Sequence, residues 1–593
     1  MRRLTRAQIS APLIALSLIL SSAFSAAIPA AQADNPPRKI LTGWIPYYSM
    51  KTSLPAALNN SDLIKEVMPF WYTLKYNGKS KSIVVTDLYT PANPSVPITE
   101  PLNALRGAGF QIIPTITDGT DKSVLSDLFA NAASRAQIVS AIVSMVKANN
   151  YDGIDLDFEG FAFVDGNATW KTTAPRWVAF VKDLSVALHA EKKVLSVSTP
   201  YVLNPTEAQK GYYVYAWADI ASSIDRLRIM TYDYSVAKAG PLGPITWAER
   251  TVKYAVSIMP ASKVFVGVPG YGRDWVTAVD GVCPANVASA VKVGAKAATF
   301  VMRDAQSLAA SYGVVPTYNE AFGEVTFTYQ KVYNGLTAAG LSTTCTATRT
   351  AWYQDTRGYA LRAALVTKYR IGGITAWTLG MEEPLAMETI RQAAKAIAPD
   401  QVTAALTSDK SEINYGDPIT LTGMLNIKDK SPVANTLVRI EGKSAADTDW
   451  RTLTTATTGV DGTFTKPILI SKPMSLRISS DATWERSEGL SPEISIGVSR
   501  LVSVSAPATV KAGAPLSITG FVRPRAAGSF VTLNALVNGK WQVVGTPVTT
   551  DAQGTFTFAV TEPRRKVATY KVSVAADTTW ALLESASFSI IVR

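Results

Sequence analysis

Short apolar runs alternate with amphipathic stretches between about Lys39 and Ile397. Eight of these runs have the length and composition of buried strands: Ile40–Pro46, Val67–Leu74, Gln111–Thr117, Gly153–Phe158, Val194–Thr199, Arg226–Tyr232, Val264–Val268 and Gly373–Leu379. Between them, apolar residues recur at helical spacing, as in Ser134–Ala148, Pro175–Ala190, Thr246–Met259 and Thr356–Tyr369. This alternation predicts repeated βα units around a parallel sheet.

Eight βα units predict an α/β fold of the (β/α)8 TIM-barrel type, which we expect to span residues 34–398. A doubly wound sheet is the alternative, but no glycine-rich phosphate loop follows any predicted strand. The interval between the seventh and eighth strands, roughly Trp275 to Ala351, is too long for one crossover helix. We expect it to hold an α+β insertion, at about residues 276–350, that forms one wall of a cleft on the barrel's C-terminal face.

After Pro399 helical periodicity stops, and short Thr/Ser/Val-rich alternating runs separated by turn residues take over. Segments of this region repeat: 415–423 recurs as 512–520, 462–464 as 554–556, and 481–484 as 577–580. The spacing predicts two tandem β-sandwich modules, at 399–498 and 499–593. They lack the cysteine pair of antibody domains, so we describe them only as immunoglobulin-like.

Acidic residues occupy alternate positions of the fourth predicted strand, where apolar residues separate Asp155, Asp157 and Glu159. In a barrel the apolar face packs against the outer helices, so the acidic face points inward and Glu159 lies at the C-terminal rim. A solvated acidic face on an antiparallel strand is the alternative. It fits poorly, because like charges in a barrel interior are unfavourable unless they are protonated or hydrogen-bonded.

Carboxylates in such a row raise one another's pKa, because like charges in one site do not all ionise readily. A proton shared between Asp155 and Asp157 would let Glu159 remain protonated near neutral pH. Glu159 would then be able to donate its proton to the leaving oxygen of a glycoside.

The first 33 residues have the features of a signal peptide: a basic start, an apolar run from Ala11 to about Leu20, and the cleavage signal Ala31-Gln32-Ala33. An uncleaved membrane anchor is the alternative, but the apolar run is short for a bilayer span. We therefore expect an exported, extracellular protein, with no membrane association after the segment is removed.

The chain of 593 residues carries a formal charge of +12, and removal of the predicted signal peptide leaves +9. A basic exported protein is attracted to anionic polymers, so a cell-wall surface is an expected partner. Nucleic acid is not expected, because Lys and Arg are scattered and no recognition motif occurs. We expect a monomer.

Two cysteines, Cys283 and Cys345, lie within the predicted insertion. In an exported protein they predict one disulfide, with two free thiols as the alternative. The single histidine, His189, lies in a predicted helix, so catalytic triads and histidine-rich metal sites are not expected.

The segment Asp152-Gly153-Ile154-Asp155-Leu156-Asp157-Phe158-Glu159 resembles the D-G-x-D-x-D-x-E signature of glycoside hydrolase family 18. This family includes chitinases, endo-N-acetylglucosaminidases and cortex-lytic peptidoglycan hydrolases. Met230–Tyr234 is similar to the family's M-x-Y-D element, and Trp377 lies where the family keeps a tryptophan on strand eight. The resemblance covers about Lys39 to Ile397 and does not extend to the C-terminal modules.

The resemblance implies substrate-assisted, retaining hydrolysis of β-1,4-linked N-acetylglucosamine glycans without a cofactor or metal. Glu159 would protonate the glycosidic oxygen and later activate water, Asp157 would orient the substrate's acetamido group, and Asp155 would tune Asp157. The implied substrate-binding residues are Met230, Tyr232, Asp233, Trp377 and Tyr47, with Tyr48 as the alternative to Tyr47.

Two departures from the family pattern bear on the substrate. Residues 114–118 read Pro-Thr-Ile-Thr-Asp where many chitinases carry S-x-G-G, and Gly160 follows Glu159 where many have Tyr or Trp. The segments 270–275 and 352–357 look like those of the cortex-lytic N-acetylglucosaminidase branch. Peptidoglycan or a related wall glycan is therefore favoured over chitin alone.

Two other interpretations remain open from the sequence. The family contains lectin-like members, so a non-catalytic protein that binds chitin or peptidoglycan is possible on the same fold; such members usually lose the terminal glutamate, which is present here as Glu159. Alternatively, the sandwich modules are the functional part. Trp484 and Trp580 recur at equivalent positions there, and core packing explains them better than sugar stacking.

Overall fold

The computed structural model describes residues 35–428 and 431–593, so the predicted signal peptide lies outside the described residues. Eight parallel strands form a closed barrel: β1 (Leu41–Pro46), β2 (Ile64–Asn77), β3 (Thr115–Asp118), β4 (Gly153–Asp157), β5 (Val194–Pro200), β6 (Arg226–Met230), β7 (Val264–Pro269) and β8 (Gly373–Trp377). Each strand pairs with the next along the chain, and β8 pairs with β1 to complete the ring. The predicted (β/α)8 barrel is confirmed.

The third strand differs from its prediction because Pro114 has no backbone N–H to donate to a sheet. Gln111–Ile112 pairs with β2, and the chain then re-enters the barrel as β3. An additional strand, Ser82–Asp87, pairs antiparallel with β2. Pairing of β3 with both β2 and β4 places Asp118 at the same barrel rim as the end of β4.

Amphipathic helices cover the barrel and bury their apolar faces against the strands. The α-helices of the barrel are Met50–Asn59, Tyr89–Ala92, Thr99–Gly107, Val124–Ala130, Ala132–Ala148, Gly160–Phe163, Trp170–Ala190, Trp217–Ile220, Ile245–Ile258, Thr356–Tyr369 and Pro384–Ala396. In the described part of the chain, every helix is too short or too polar to cross a membrane.

The insertion is a five-stranded antiparallel sheet with one α-helix, Ala305–Ser311. Its strands are Tyr271–Gly281, Ala298–Val301, Thr317–Asn319, Glu324–Leu336 and Ser342–Tyr353. The sheet begins earlier than the sequence indicates, because only Gly270 separates β7 from its first strand. A disulfide joins Cys283 to Cys345, whose Cα atoms are 4.8 Å apart.

The remainder of the chain forms two all-β modules with the same sheet arrangement, each a small sheet packed on a larger one. Six strands of the larger sheets matter below: β9 (Leu437–Lys443), β10 (Arg451–Thr457) and β11 (Met474–Ser480) in the first module, and β12 (Phe530–Val537), β13 (Lys540–Thr549) and β14 (Lys566–Val574) in the second. The strands of the first module are Val402–Ser408, Glu412–Asn414, Pro418–Ile427, β9, β10, Thr463–Leu469, β11, Gly489–Leu490 and Ile494–Ser499. The strands of the second module are Leu501–Ser505, Thr509–Val510, Pro515–Arg523, β12, β13, Thr555–Thr561, β14, Leu583–Glu584 and Phe588–Val592.

The recurring tryptophans lie where one unit meets the preceding one. Trp484 of the first module packs against the barrel core, with the guanidinium of Arg38 4.2 Å from its ring centroid. Trp580 of the second module packs against the core of the first, near Arg500. Both tryptophans therefore serve packing between units rather than packing within their own module.

Candidate active site

Strand β4 carries the acidic row at the centre of the barrel. It pairs with β3 on one side and β5 on the other, and its apolar positions are fully buried towards the outer helices. Phe158, for example, stacks with Phe129 and Phe180. Because side chains alternate along a strand, this packing directs Asp155 and Asp157 into the barrel.

Asp155, the lowest of the three acidic residues, is completely buried and surrounded by donors. The hydroxyls of Ser196 and Ser198 lie 2.6 and 2.9 Å from its Oδ1, and the hydroxyl of Thr115 lies 2.9 Å from its Oδ2. The guanidinium of Arg228 is 3.8 Å away. These contacts fix the orientation of the Asp155 carboxylate beneath Asp157.

Asp157 and Glu159 both hold their protons more tightly than exposed carboxyls do. Burial raises the pKa of Asp157 well above its usual value, and the charges of Glu159 and Asp155 raise it further. Burial raises the pKa of Glu159 to about 7, with a contribution from the negative charge of Asp233. At neutral pH this pair can therefore supply a proton at the rim of the barrel.

Two buried polar atoms beside this pair lack a hydrogen-bond partner among the described residues. They are Oδ1 of Asp157 and the hydroxyl oxygen of Tyr232. A buried polar group without a partner destabilises the folded protein by about 1–3 kcal/mol. Unpaired groups that face a cleft are suited to binding a polar ligand, because the ligand supplies the missing hydrogen bonds.

Asp233 follows β6 and lines the cleft close to Glu159. Its backbone has φ of 58°, a left-handed conformation that is uncommon outside glycine and frequent at functional sites. Its Oδ1 accepts hydrogen bonds from the hydroxyl of Tyr271 and from Nε of Arg273, the latter at 2.8 Å. Sequence reasoning gave these two residues no role, although their alternation after β7 places them on one face of the first insertion strand.

Trp377 lies at the end of β8, directly across the cleft from the acidic row. Its ring contacts Trp44 and Phe70 edge-on, with ring centroids 5.5 and 5.1 Å apart, so its orientation is fixed by packing. The residue after β1 that lines the cleft is Tyr48, whereas Tyr47 packs against the barrel core. The alternative expected from the sequence, Tyr48, therefore replaces Tyr47 in the site.

The cleft has a volume of about 480 Å³ and brings together the predicted residues Asp157, Glu159, Met230, Tyr232, Asp233 and Trp377. The residues that complete its lining are Tyr48, Phe70, Tyr271, Arg273, Thr299 and Met381. Asp155 lies beneath the cleft and acts on it only through Asp157. A cavity of about 530 Å³ near Trp217 and Tyr254 contains none of the acidic row.

The sequence profile of glycosyl hydrolases family 18 matches residues 44–382, which is more than half of the chain. This chain belongs to glycosyl hydrolase family 18. The match begins within β1 and includes every residue of the cleft.

Three relatives illustrate the range of family 18 proteins that this chain resembles. A Bacillus subtilis (strain 168) protein, YdhD, named as a sporulation-specific glycosylase, is 25% identical over 273 residues, covering 45% of this chain and 57% of its own. The cortical fragment-lytic enzyme of Bacillus anthracis is 24% identical over 280 residues, covering 46% and 57%. Chitotriosidase-1 of Mus musculus is 30% identical over 185 residues, covering 27% and 38%. The chain thus spans little more than half the length of the two bacterial relatives.

An aromatic groove adjoins the family 18 cleft. Tyr212 contacts Phe163 on one side and Tyr201 on the other, with ring centroids 4.9 and 5.6 Å apart. Burial raises the pKa of Tyr212, and Tyr201, Glu159 and Asp233 add to the effect, so the groove lies close to the acidic row. The groove has a volume of about 470 Å³.

Proposed function

We propose that this protein is an exported enzyme that hydrolyses β-1,4-linked N-acetylglucosamine-containing glycans, peptidoglycan or chitin, by substrate-assisted retaining catalysis. The observation that carries the proposal is the position of Glu159, with its pKa raised to about 7, beside the unpaired buried atoms of Asp157 and Tyr232. The carboxyl of Glu159 is suited to proton donation, and the unpaired atoms of Asp157 and Tyr232 are suited to holding an acetamido group.

In the first step, Glu159 donates its proton to the glycosidic oxygen, and the bond between this oxygen and the anomeric carbon breaks. The carbonyl oxygen of the substrate's acetamido group forms a bond to the anomeric carbon, giving an oxazolinium ion. Oδ1 of Asp157 accepts a hydrogen bond from the acetamido N–H, and the hydroxyl of Tyr232 donates to the acetamido oxygen. The hydrogen bond from the acetamido N–H favours the ionised form of Asp157 in the bound complex, so the proton of the pair lies on Glu159, and the ionised Asp157 then stabilises the positive charge that develops on the nitrogen.

In the second step, ionised Glu159 removes a proton from a water molecule, and the water oxygen attacks the anomeric carbon. The bond to the acetamido oxygen breaks, the acetamide is regenerated, and the product keeps the configuration of the substrate. Trp377 provides an apolar floor for the sugar ring. Asp155, held by hydroxyls and Arg228, lies beneath Asp157 and contributes to the raised pKa of that residue.

Several features support a polymeric wall glycan as the substrate. The aromatic groove near the cleft offers room for a further sugar, as binding of a polymer requires. The cortical fragment-lytic relative and the chitotriosidase bear names that point to the two glycans proposed. The predicted signal peptide and the basic charge support export to a wall surface.

The test is release of reducing N-acetylglucosamine ends from purified peptidoglycan and from chitin oligomers. Wild-type protein is expected to release them, and Glu159→Gln is expected to lose at least about 10³-fold in kcat while still binding. Glu207→Gln, which changes an acidic residue paired with Arg250 outside the cleft, is the matched control and should retain activity. If wild type and Glu159→Gln bind equally and neither releases product, the protein is a lectin and the proposal is wrong.

A further inference from the structure

Each C-terminal module carries a tryptophan at the same place, on the edge strand of its larger sheet. Trp450 immediately precedes β10, and Trp541 is the second residue of β13. A cation from the strand two positions inward lies over each ring: Arg477 of β11 is 4.1 Å from the centroid of Trp450, and Lys571 of β14 is 4.8 Å from that of Trp541.

A carboxylate and a serine hydroxyl complete both arrangements. In the first module, Glu441 accepts from Arg477 at 2.8 Å and from Ser479 at 3.0 Å. In the second module, the corresponding carboxylate is Glu584, which accepts hydrogen bonds from Lys571 at 2.8 Å and from the hydroxyl of Ser573 at 3.2 Å.

The two carboxylates come from different strands, Glu441 from β9 and Glu584 from the short strand Leu583–Glu584. The set of a tryptophan, a cation, a hydroxyl and a carboxylate is therefore present in both modules although its parts are not all at equivalent positions. The two cations and Ser573 lie on the outer face of each sheet, since the alternate residues of β11 and β14 fill the module cores, whereas Ser479 shares that face but is buried beneath its neighbours. Core packing thus does not account for the set.

Trp541 is 38% exposed, and its surroundings are accessible as well. Leu536 lies directly opposite on β12 and is 44% exposed, while Val543, two residues further along β13, is 56% exposed. In the first module, the counterpart Trp450 is partly buried. Trp541 therefore belongs to a small accessible apolar patch bordered by hydrogen-bonding groups, and Trp450 presents a smaller accessible surface at the corresponding place.

An aromatic ring beside charged and hydroxyl groups is suited to a sugar, whose apolar ring face stacks while its hydroxyl and amide groups form hydrogen bonds. Because each cation is already paired with a carboxylate, the set is close to neutral. A polyanion such as a phosphate-linked polymer would have to compete with that carboxylate, whereas an uncharged glycan would not.

We propose that Trp450 and Trp541 are the stacking platforms of two accessory glycan-binding sites, which retain the enzyme on the polymer that its barrel hydrolyses. This inference rests on the proposed function for the identity of the glycan. Two weak sites on one chain raise retention on an insoluble polymer far more than either does alone, because binding at one raises the local concentration of the other.

The test measures retention of the full chain on insoluble peptidoglycan and on chitin, in the Glu159→Gln background so that the polymer is not consumed. Assays at about 0.5 M salt shorten the range of electrostatic attraction to less than about 5 Å. We expect the double variant Trp450→Ala/Trp541→Ala to weaken retention on at least one polymer by about tenfold or more, and each single change to weaken it less. The double variant Trp450→Phe/Trp541→Phe, which keeps an aromatic ring at both positions, should retain most of the binding.

Phe521→Ala is the matched control, because Phe521 has similar exposure, 37%, and its own cation, Arg523, but lies on the opposite sheet of the second module. It should leave retention unchanged. The same tryptophan changes in the catalytically active protein should leave turnover of soluble oligomers unchanged, which excludes an effect on the barrel, and recovery of retention with phenylalanine excludes a folding defect of the modules.

Retention unaffected by Trp450→Ala/Trp541→Ala would overturn the inference, and so would retention that disappears in high salt regardless of the tryptophans. The proposed function fails by a separate measurement, the absence of product release by wild-type protein. Retention is measured on inactive protein, so the two failures are distinguishable.

Discussion

The carboxylate of Asp118 fills the space beside Gly160 that any side chain at residue 160 would need. A Cβ atom built on Gly160 would lie 2.3 Å from Oδ2 of Asp118, far inside van der Waals contact. Gly160 follows Glu159 where many chitinases have Tyr or Trp, and Asp118 ends the segment 114–118 that stands in place of S-x-G-G. The two departures meet in space, since a side chain at residue 160 would force the Asp118 carboxylate or the backbone to move.

This contact predicts that Gly160→Ala lowers kcat/KM, because the new methyl group displaces either Asp118 or the backbone that follows Glu159. Gly160 begins the short helix Gly160–Phe163, so a shift of the backbone moves the carboxyl of Glu159. Misplacement of a catalytic group by about 1 Å reduces activity by up to about 10²-fold, and we expect a loss of about tenfold or more. Steady-state kinetics on chitin oligomers measure the effect.

The matching control is Asp118→Gly/Gly160→Ala, in which the conflicting carboxylate is absent. We expect this double variant to recover most of the activity lost by Gly160→Ala. Equal activity of Gly160→Ala and wild type, or no recovery in the double variant, would contradict the coupling.

The pH dependence of the reaction should follow the proton on Glu159. A general acid acts only while protonated, and the pKa of Glu159 is raised to about 7, so kcat/KM should fall as the pH rises through about 7. Part of this elevation comes from the charge of Asp233, so Asp233→Asn should move the alkaline limb to lower pH. A limb that stays in place would show that Asp233 does not act on Glu159.

The raised pKa of Glu159 also predicts that ionisation of this residue at higher pH destabilises the folded protein. The folded-state pKa of about 7 exceeds the ordinary value of 4.5, so the folded protein retains a proton that the unfolded chain has lost between these pH values. The free energy of unfolding therefore decreases as the pH rises through this window, by about 3 kcal/mol at most. Glu159→Gln, which does not titrate, should raise the melting temperature relative to wild type at pH 8 and have little effect at pH 4. An equal effect at both pH values would contradict the pKa assignment.

Periodicity predicted the barrel because buried parallel strands and amphipathic helices leave strong local signals. It misplaced the interrupted third strand, since Pro114 ends pairing within an otherwise apolar run. The acidic row was predictable because alternate residues of a single strand share one face. The neighbours of Asp155, by contrast, come from β3, β5 and β6, and no local pattern indicates that they meet.

Contributions from the insertion and from the outer module faces were the least predictable. Tyr271 and Arg273 reach Asp233 only because the insertion sheet starts immediately after β7. The choice between Tyr47 and Tyr48 depends on which ring packs against the core. The relation between Trp450 and Trp541 is not apparent from the sequence, because the strands around them have diverged. Their shared place at the edge of the larger sheet and the cation over each ring show that the two residues are equivalent.

The central claim is that Glu159 protonates the glycosidic bond while the substrate's own acetamide attacks the anomeric carbon. The most direct measurement is proton NMR of the first products released from a chitin or peptidoglycan oligomer, before the anomers equilibrate. Our account predicts that wild-type protein releases the β-anomer initially and that Glu159→Gln releases none. Initial release of the α-anomer, or release of the β-anomer at the wild-type rate by Glu159→Gln, would contradict it.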